Sequence, residues 1–286
     1  MPTKPPRNRP HSGAKSGAKS GIKPGATREQ TERRERFERA RRDSLRPDAD
    51  GPSVMYGWHT VAAALRNPAR KLRKLLVTEN AAHRLTEEGI TPAIKPDIVR
   101  PSAIAERLQP DAVHQGLYLE ADALPSPAIE DLAAEGVVLV LDQITDPHNV
   151  GAIFRSAAAF DARAIVTTQR HSPDATSALA KAASGALEHV PLVTVQNLAR
   201  GMEELRQRGF MLVGLDSEGE KDIADLTLRA PLALVLGAEG KGLRQLTRET
   251  CDHVARIEVP GAIASLNVSN AAAVSLYIAS RAIARR

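Results

Sequence analysis

From residue 137 onward the chain repeats one pattern that few folds accommodate. Short, nearly continuous apolar runs recur at VVLVLD (137–142), RAIVTT (163–168), PLVTV (191–195), FMLVGL (210–215), LALVL (232–236) and ARIEV (255–259). Most of the gaps between them hold segments with helical character, such as VGAIFRSAAAF, NLARGMEELRQ and a long final VSNAAAVSLYIASRAIAR. A strand that is apolar at every position is buried on both faces, and strands alternating with helices predict a parallel α/β sheet covered on both sides. In such sheets ligands sit in the loops that follow the carboxyl ends of the strands.

The chain before that region divides in three. Residues 1–50 carry 14 of the 39 Lys and Arg and 7 of the 34 Asp and Glu, so this segment holds +7 and the remainder −2. Its opening run, SGAKSGAKSG from Ser12, cannot bury enough surface to offset ordering entropy, so a disordered basic tail is expected. Its charge suits a polyanion such as RNA, or serves solubility. Residues 54–123 read as a small α/β domain: WHTVAAALRNP as a helix ended by Pro68, KLRKLLVT as a strand, PSAIAERL as a helix capped by Ser102, and QGLYLEA as a strand. Residues 124–136, LPSPAIEDLAAEG, read as a linker to the domain at 137–286. A single cysteine, Cys251, excludes an internal disulfide framework and a cysteine-based zinc cluster. The sequence offers neither a run of about 20 apolar residues nor a signal core, so no membrane span is expected.

Three strand-to-helix loops carry the unusual residues. QITDPHNVGAIFR follows the first apolar run; there Asn149 or Asp146 caps a helix, and Arg155 projects from a face of small residues. Arg155 either forms a surface ion pair or meets a phosphate or a partner chain. GAEGKGLR, from Gly237, supplies three glycines for close backbone approach and one carboxylate, Glu239, that would repel a phosphate. It matches neither a Walker A loop nor the dinucleotide fingerprint, which disfavours P-loop and Rossmann enzymes. PGAIASLNVSNAAA, from Pro260, places Ser265, Asn267, Ser269 and Asn270 at the start of the last helix.

Taken together, Asn149, Gly151 and Arg155 as N-x-G-x-x-x-R, Leu236 to Gly242 as L-G-x-E-x-x-G, and Ser265 to Ser269 as S-L-N-V-S resemble the three motifs of the SpoU/TrmH family, RNA ribose 2′-O-methyltransferases of the SPOUT superfamily. Tyr56-Gly57-x-His59-x-Val61 and His114-Gln115-Gly116 further resemble the L30e-like substrate-binding domain of its 23S rRNA guanosine-2′-O-methyltransferase subgroup. The resemblance implies a parallel sheet with a C-terminal trefoil knot, S-adenosyl-L-methionine as cofactor, no metal, a cytoplasmic homodimer with active sites across the interface, and 23S rRNA or a ribosomal precursor as partner. It implies catalytic roles for Arg155, Asn149, Glu239, Ser265 and Asn267, and cofactor contacts through Gly237, Ile257 and Leu266. Arg155 is then an unusual base or a phosphate clamp that orients the hydroxyl; arginine is ordinarily never deprotonated. The same chemistry on tRNA or another rRNA site, and a catalytically silent RNA-binding or ribosome-assembly factor, are the alternatives.

Overall fold

All six side chains of Val137–Asp142 are buried in the computed structural model, which describes residues 52–169, 177–262 and 265–284. The expected basic tail over residues 1–50 lies outside the described residues. The strand Val137–Asp142 (β5) sends Val137, Leu139 and Leu141 into one apolar core and Val138 and Val140 into another, as a strand covered on both faces must. Six further strands join it: Ala164–Thr168 (β6), Leu192–Val195 (β7), Met211–Leu215 (β8), Lys221–Asp222 (β9), Leu232–Gly237 (β10) and His253–Arg256 (β11). The order across this sheet is β7-β6-β5-β10-β8-β11-β9, and every pairing is parallel.

The helix Pro147–Ala159 (α4) and the final helix Val268–Ala284 (α8) pack on one face and contribute Val150, Ile153, Phe154, Ala272 and Leu276 to its core. Leu198–Gln207 (α6) covers the other face with Leu198, Met202 and Leu205. Two shorter helices, Ser177–Ala183 (α5) and Gln245–Thr250 (α7), complete the layers. Sequential β5, β6 and β7 run outward on one side while β8, β10 and β11 lie on the other. The loops after β5 and β10 therefore open where the winding reverses, the usual ligand position.

The first region forms a separate four-stranded sheet in the order β1-β4-β2-β3: Ser53–Tyr56 (β1), Leu72–Val77 (β2), Asp97–Ile98 (β3) and Leu117–Ala121 (β4). Trp58–Arg66 (α1), Glu79–Glu87 (α2) and Pro101–Ala105 (α3) accompany it. Several sequence expectations shift here. The third helix begins with Pro101 at its first position and Arg100 before it, so Ser102 is not its cap. The strand expected at 255–259 pairs instead over His253–Arg256. The segment 124–136 does more than link, because a short 3-10 turn at Ile129–Asp131 buries Ile129, and Leu132 joins it in the core beneath α6.

A polar clamp ties the two sheets together. Arg70, Asn67 and Glu188 meet there: Asn67 Nδ2 donates to Glu188 Oε2 at 2.7 Å, Arg70 Nε to the same oxygen at 3.2 Å, and Arg70 Nη1 to the Asp122 carbonyl at 2.9 Å. Beside it, Gly185 sits at φ +90°, and a Cβ there would meet Ala63 Cβ at 2.7 Å, so only glycine lets α1 lie this close.

Candidate functional site

Asp146, rather than Asn149, caps α4: its carboxylate accepts from the His148 N–H at 3.1 Å, with Pro147 at the first helical position. That leaves the Asn149 amide free to leave its own helix, and Nδ2 donates to Glu239 Oε1 at 3.2 Å. Glu239 stands on the loop after β10, which closes on itself through Gly242 N to the Ala238 carbonyl at 2.9 Å. A Cβ at Gly237 would lie 2.2 Å from the Gly242 carbonyl carbon, so any side chain there would force the loop open. Gly240 and Gly242 adopt φ +73° and +63°, the left-handed backbone the turn requires.

The third loop completes the junction. Asn267 Nδ2 donates to Asn149 Oδ1 at 3.0 Å and to Glu239 Oε1 at 2.6 Å. The Val268 N–H adds a third donor to Glu239 Oε1 at 3.3 Å. Asn267 Oδ1 accepts from the Ser269 N–H at 2.9 Å and its hydroxyl at 2.6 Å, which fixes which end of the amide faces Glu239. Three loops far apart in sequence thus converge on one carboxylate oxygen. Glu239 Oε2 makes no hydrogen bond among the described residues.

Beside this junction lies a cleft of ≈ 620 Å³, within the range of small-molecule sites. Gly237, Glu239, Ile257, Ser265 and Leu266 all line it, and so do Asp216 and Glu218. Arg155, Asn149 and Asn267 do not. Arg155 is exposed on α4 and makes no ion pair or hydrogen bond among the described residues. No group of three or more His, Cys, Asp or Glu able to hold a metal occurs among the described residues. The Cys251 thiol donates to the Thr247 carbonyl at 3.2 Å, and burial pushes it up to about 12, which makes it a poor nucleophile.

Two acids that frame the site escape a reading of the three loops. Asp142, at the end of β5, has a fully buried side chain; it accepts from Arg244 Nε at 2.7 Å and from the Arg244 N–H at 3.0 Å, anchoring the loop after β10. Asp216, just past β8, accepts from Arg248 Nη2 at 2.9 Å. Burial alone would raise its pKa, but the Glu218 N–H, the Arg248 guanidinium and the Leu243 N–H outweigh it and hold the carboxyl below its ordinary range. The signal for both is an acid that ends or directly follows a buried strand, at the carboxyl edge of the sheet.

Comparison with known proteins places this geometry. The sequence profile of the SpoU rRNA Methylase family matches residues 136–277, and one described as RNA 2′-O ribose methyltransferase substrate binding matches residues 54–127. The 23S rRNA (guanosine-2′-O-)-methyltransferase RlmB of Ralstonia nicotianae is 40% identical over 236 residues, spanning 80% of this chain and 95% of that protein. The RlmB of Pseudomonas aeruginosa is 39% identical over 236 residues, spanning 78% and 94%. Among solved structures, an RNA 2′-O ribose methyltransferase aligns with a TM-score of 0.69 at 25% identity over 90% of this chain and 96% of that one. AviRb from Streptomyces viridochromogenes, in complex with the cofactor AdoMet, shares the fold with a TM-score of 0.68 at 24% identity over 86% and 92%. By sequence along most of its length, and by fold, the chain belongs to the SpoU rRNA methylase family.

Proposed function

We propose that the chain transfers a methyl group from S-adenosyl-L-methionine to the ribose 2′-hydroxyl of a guanosine in 23S rRNA. The observation that carries this reading is the junction of Asn149, Glu239 and Asn267 at the mouth of the cleft lined by Gly237, Ile257 and Leu266. The names of the relatives in Ralstonia and Pseudomonas support the guanosine and the 23S target. When bound, the cofactor supplies an electrophilic methyl on a sulfonium. Asp216, Glu218 and Glu239 suit such a cationic guest in charge, while the backbones of Gly237, Ile257 and Leu266 would hold it.

A ribose hydroxyl is a weak nucleophile, so positioning and acceptance of its proton are the tasks left to the chain. Glu239 Oε2 is the carboxylate oxygen left to accept from that hydroxyl, because its sibling oxygen is filled by three donors. Ser265 lines the same cleft and can hydrogen-bond the RNA. Because arginine side chains do not ordinarily serve as bases, the role we assign to Arg155 is to clamp an RNA phosphate and orient the ribose.

Arg155 stands outside the cleft of its own chain, which favours a homodimer in which it serves the cleft of a second copy. The exposed Tyr277, 57% accessible, and Val274 on α8 give such an interface its apolar centre; Phe160 at the end of α4 packs edge-on against Tyr277, ring centres 6.4 Å apart. The trefoil knot belongs to the same proposal. No helix among the described residues is long and apolar enough to cross a membrane, and we place the enzyme in the cytoplasm, with residues 1–50 adding positive charge towards RNA.

The test is transfer of labelled methyl from S-adenosyl-L-methionine to unmodified 23S rRNA and to bulk tRNA. The expected outcome is incorporation into the rRNA. Incorporation into tRNA alone overturns the target, and none into either overturns the activity.

A further inference from the structure

The His114-Gln115-Gly116 motif is not used by the methyl-transfer site. It lines a second cleft, of ≈ 360 Å³, on the four-stranded sheet's domain, together with Trp58, Thr78 and Arg84. Its backbone is unusual. Gln115 holds φ +50°, a left-handed conformation that residues other than glycine rarely adopt. Gly116 follows at φ +80°, where a Cβ would meet Thr78 Oγ1 at 2.3 Å.

The strained turn fixes two side chains by their acceptors. Gln115 Oε1 accepts from the Trp58 N–H at 2.8 Å, so its amide NH₂ is the end left over, without a hydrogen bond among the described residues. His114 Nδ1 accepts from the Gly116 N–H at 3.1 Å, so the proton of the neutral ring sits on Nε2. Burial lowers the His114 pKa, which favours that neutral form. Both side chains are therefore left with donors.

Arg84 supplies a flat surface. Its guanidinium carbon lies 3.7 Å from the centre of the Trp58 ring, while its side chain stays 49% exposed. Arg84 Nε pairs with Glu88 Oε1 at 3.2 Å, so its charge is already answered within the chain. A guanidinium plane so held is a stacking platform for an aromatic ring more than a clamp for phosphate.

We infer that this cleft binds one unpaired guanine of the RNA substrate, stacked on Arg84, with N7 and O6 accepting from the Gln115 amide and His114 Nε2. Guanine fits because it presents two adjacent acceptors on that edge, whereas adenine presents one acceptor and one donor. The inference rests on RNA being the substrate, as proposed above. It adds a recognition point for a base, separate from the ribose that receives the methyl group.

Trp58 is the chain's single tryptophan, so its emission reports on this cleft alone. The full-length protein is titrated with single-stranded oligouridylates carrying one guanosine, one adenosine or one 7-deazaguanosine, following Trp58 emission and fluorescence anisotropy of the labelled RNA. The guanosine oligomer should perturb Trp58 saturably and bind about tenfold more tightly than the other two. Gln115→Glu keeps an acceptor for the Trp58 N–H but replaces the donor by a carboxylate oxygen. It should abolish the preference while calorimetric binding of S-adenosyl-L-methionine stays unchanged. The 7-deazaguanosine comparison needs no variant, so it decides even if Gln115→Glu fails to fold. Equal affinity for the three oligomers, no binding, or binding that leaves Trp58 unperturbed overturns the inference. Methylation of rRNA without guanine preference sinks this inference alone; guanine preference without methyl transfer upholds it and sinks the proposed activity.

Discussion

Replacing Glu188 with alanine removes the acceptor at the centre of the clamp between the two sheets. The Glu188 and Arg70 side chains are 3% and 5% exposed, so neither regains water when its partner is deleted. The variant strands the Arg70 guanidinium beside Asn67, with the Asp122 carbonyl as its remaining acceptor. Breaking a buried ion pair from one side costs about 3–5 kcal/mol, because the surviving charge stays desolvated. For a folded region of this size each kcal/mol moves the midpoint by about 2–4 °C, so a fall of roughly 10 °C is expected in circular-dichroism melting. Arg70→Met combined with Glu188→Leu removes both charges and should recover most of the loss. The exposed Arg73–Asp122 pair serves as control, and Arg73→Ala should move the curve far less. A Glu188→Ala midpoint within 2 °C of the parent would refute the reasoning, since the clamp would then behave as a solvated surface pair.

Gly237→Ala should weaken S-adenosyl-L-methionine binding roughly tenfold or more in calorimetry, because its Cβ would sit 2.2 Å from the Gly242 carbonyl carbon. Gly240→Ala, whose Cβ meets nothing within 4 Å but sits at φ +73°, carries only the backbone strain and should lose less affinity than Gly237→Ala. Asp216 is held below its ordinary value of 3.8, so its ionised form stabilises the fold above that pH, and the contribution disappears as pH falls through the lower folded value. Asp216→Asn should therefore unfold at lower denaturant than the parent at pH 7, and the gap should close on titration well below pH 3.8. Arg155→Ala should lose methyl transfer by about a hundredfold or more while melting like the parent, since its side chain is exposed and unpaired among the described residues.

The apolar runs at 137–142, 163–168, 191–195, 210–215 and 232–236 announce their strands because burial on both faces leaves no polar position to blur the pattern. The order of those strands is not legible in the same way, since it depends on which buried edges meet. Weakly patterned elements escape too. The helix Glu79–Glu87 buries only Ala81 and Leu85, and the strands Asp97–Ile98 and Lys221–Asp222 are two residues long. At the site, Asn149, Glu239 and Asn267 are readable as unusual polar residues in strand-to-helix loops, yet Asn149 is 90 residues from Glu239 and 118 from Asn267. Only the closed sheet brings them within hydrogen-bond distance. Asp142 and Asp216 look like ordinary loop-entry acids until their arginine partners, supplied by α7 and the turn before it, are seen in place.

Methylation of a ribose oxygen, rather than of a base, leaves its mark on the backbone of the product. A 2′-O-methyl group removes the hydroxyl that attacks the neighbouring phosphodiester in alkali. The measurement is alkaline hydrolysis of 23S rRNA after incubation with the protein and S-adenosyl-L-methionine. One new alkali-resistant linkage, 3′ to a guanosine and absent with Arg155→Ala, is expected. Methyl incorporation with a fully alkali-labile ladder would place the group on a base and contradict it.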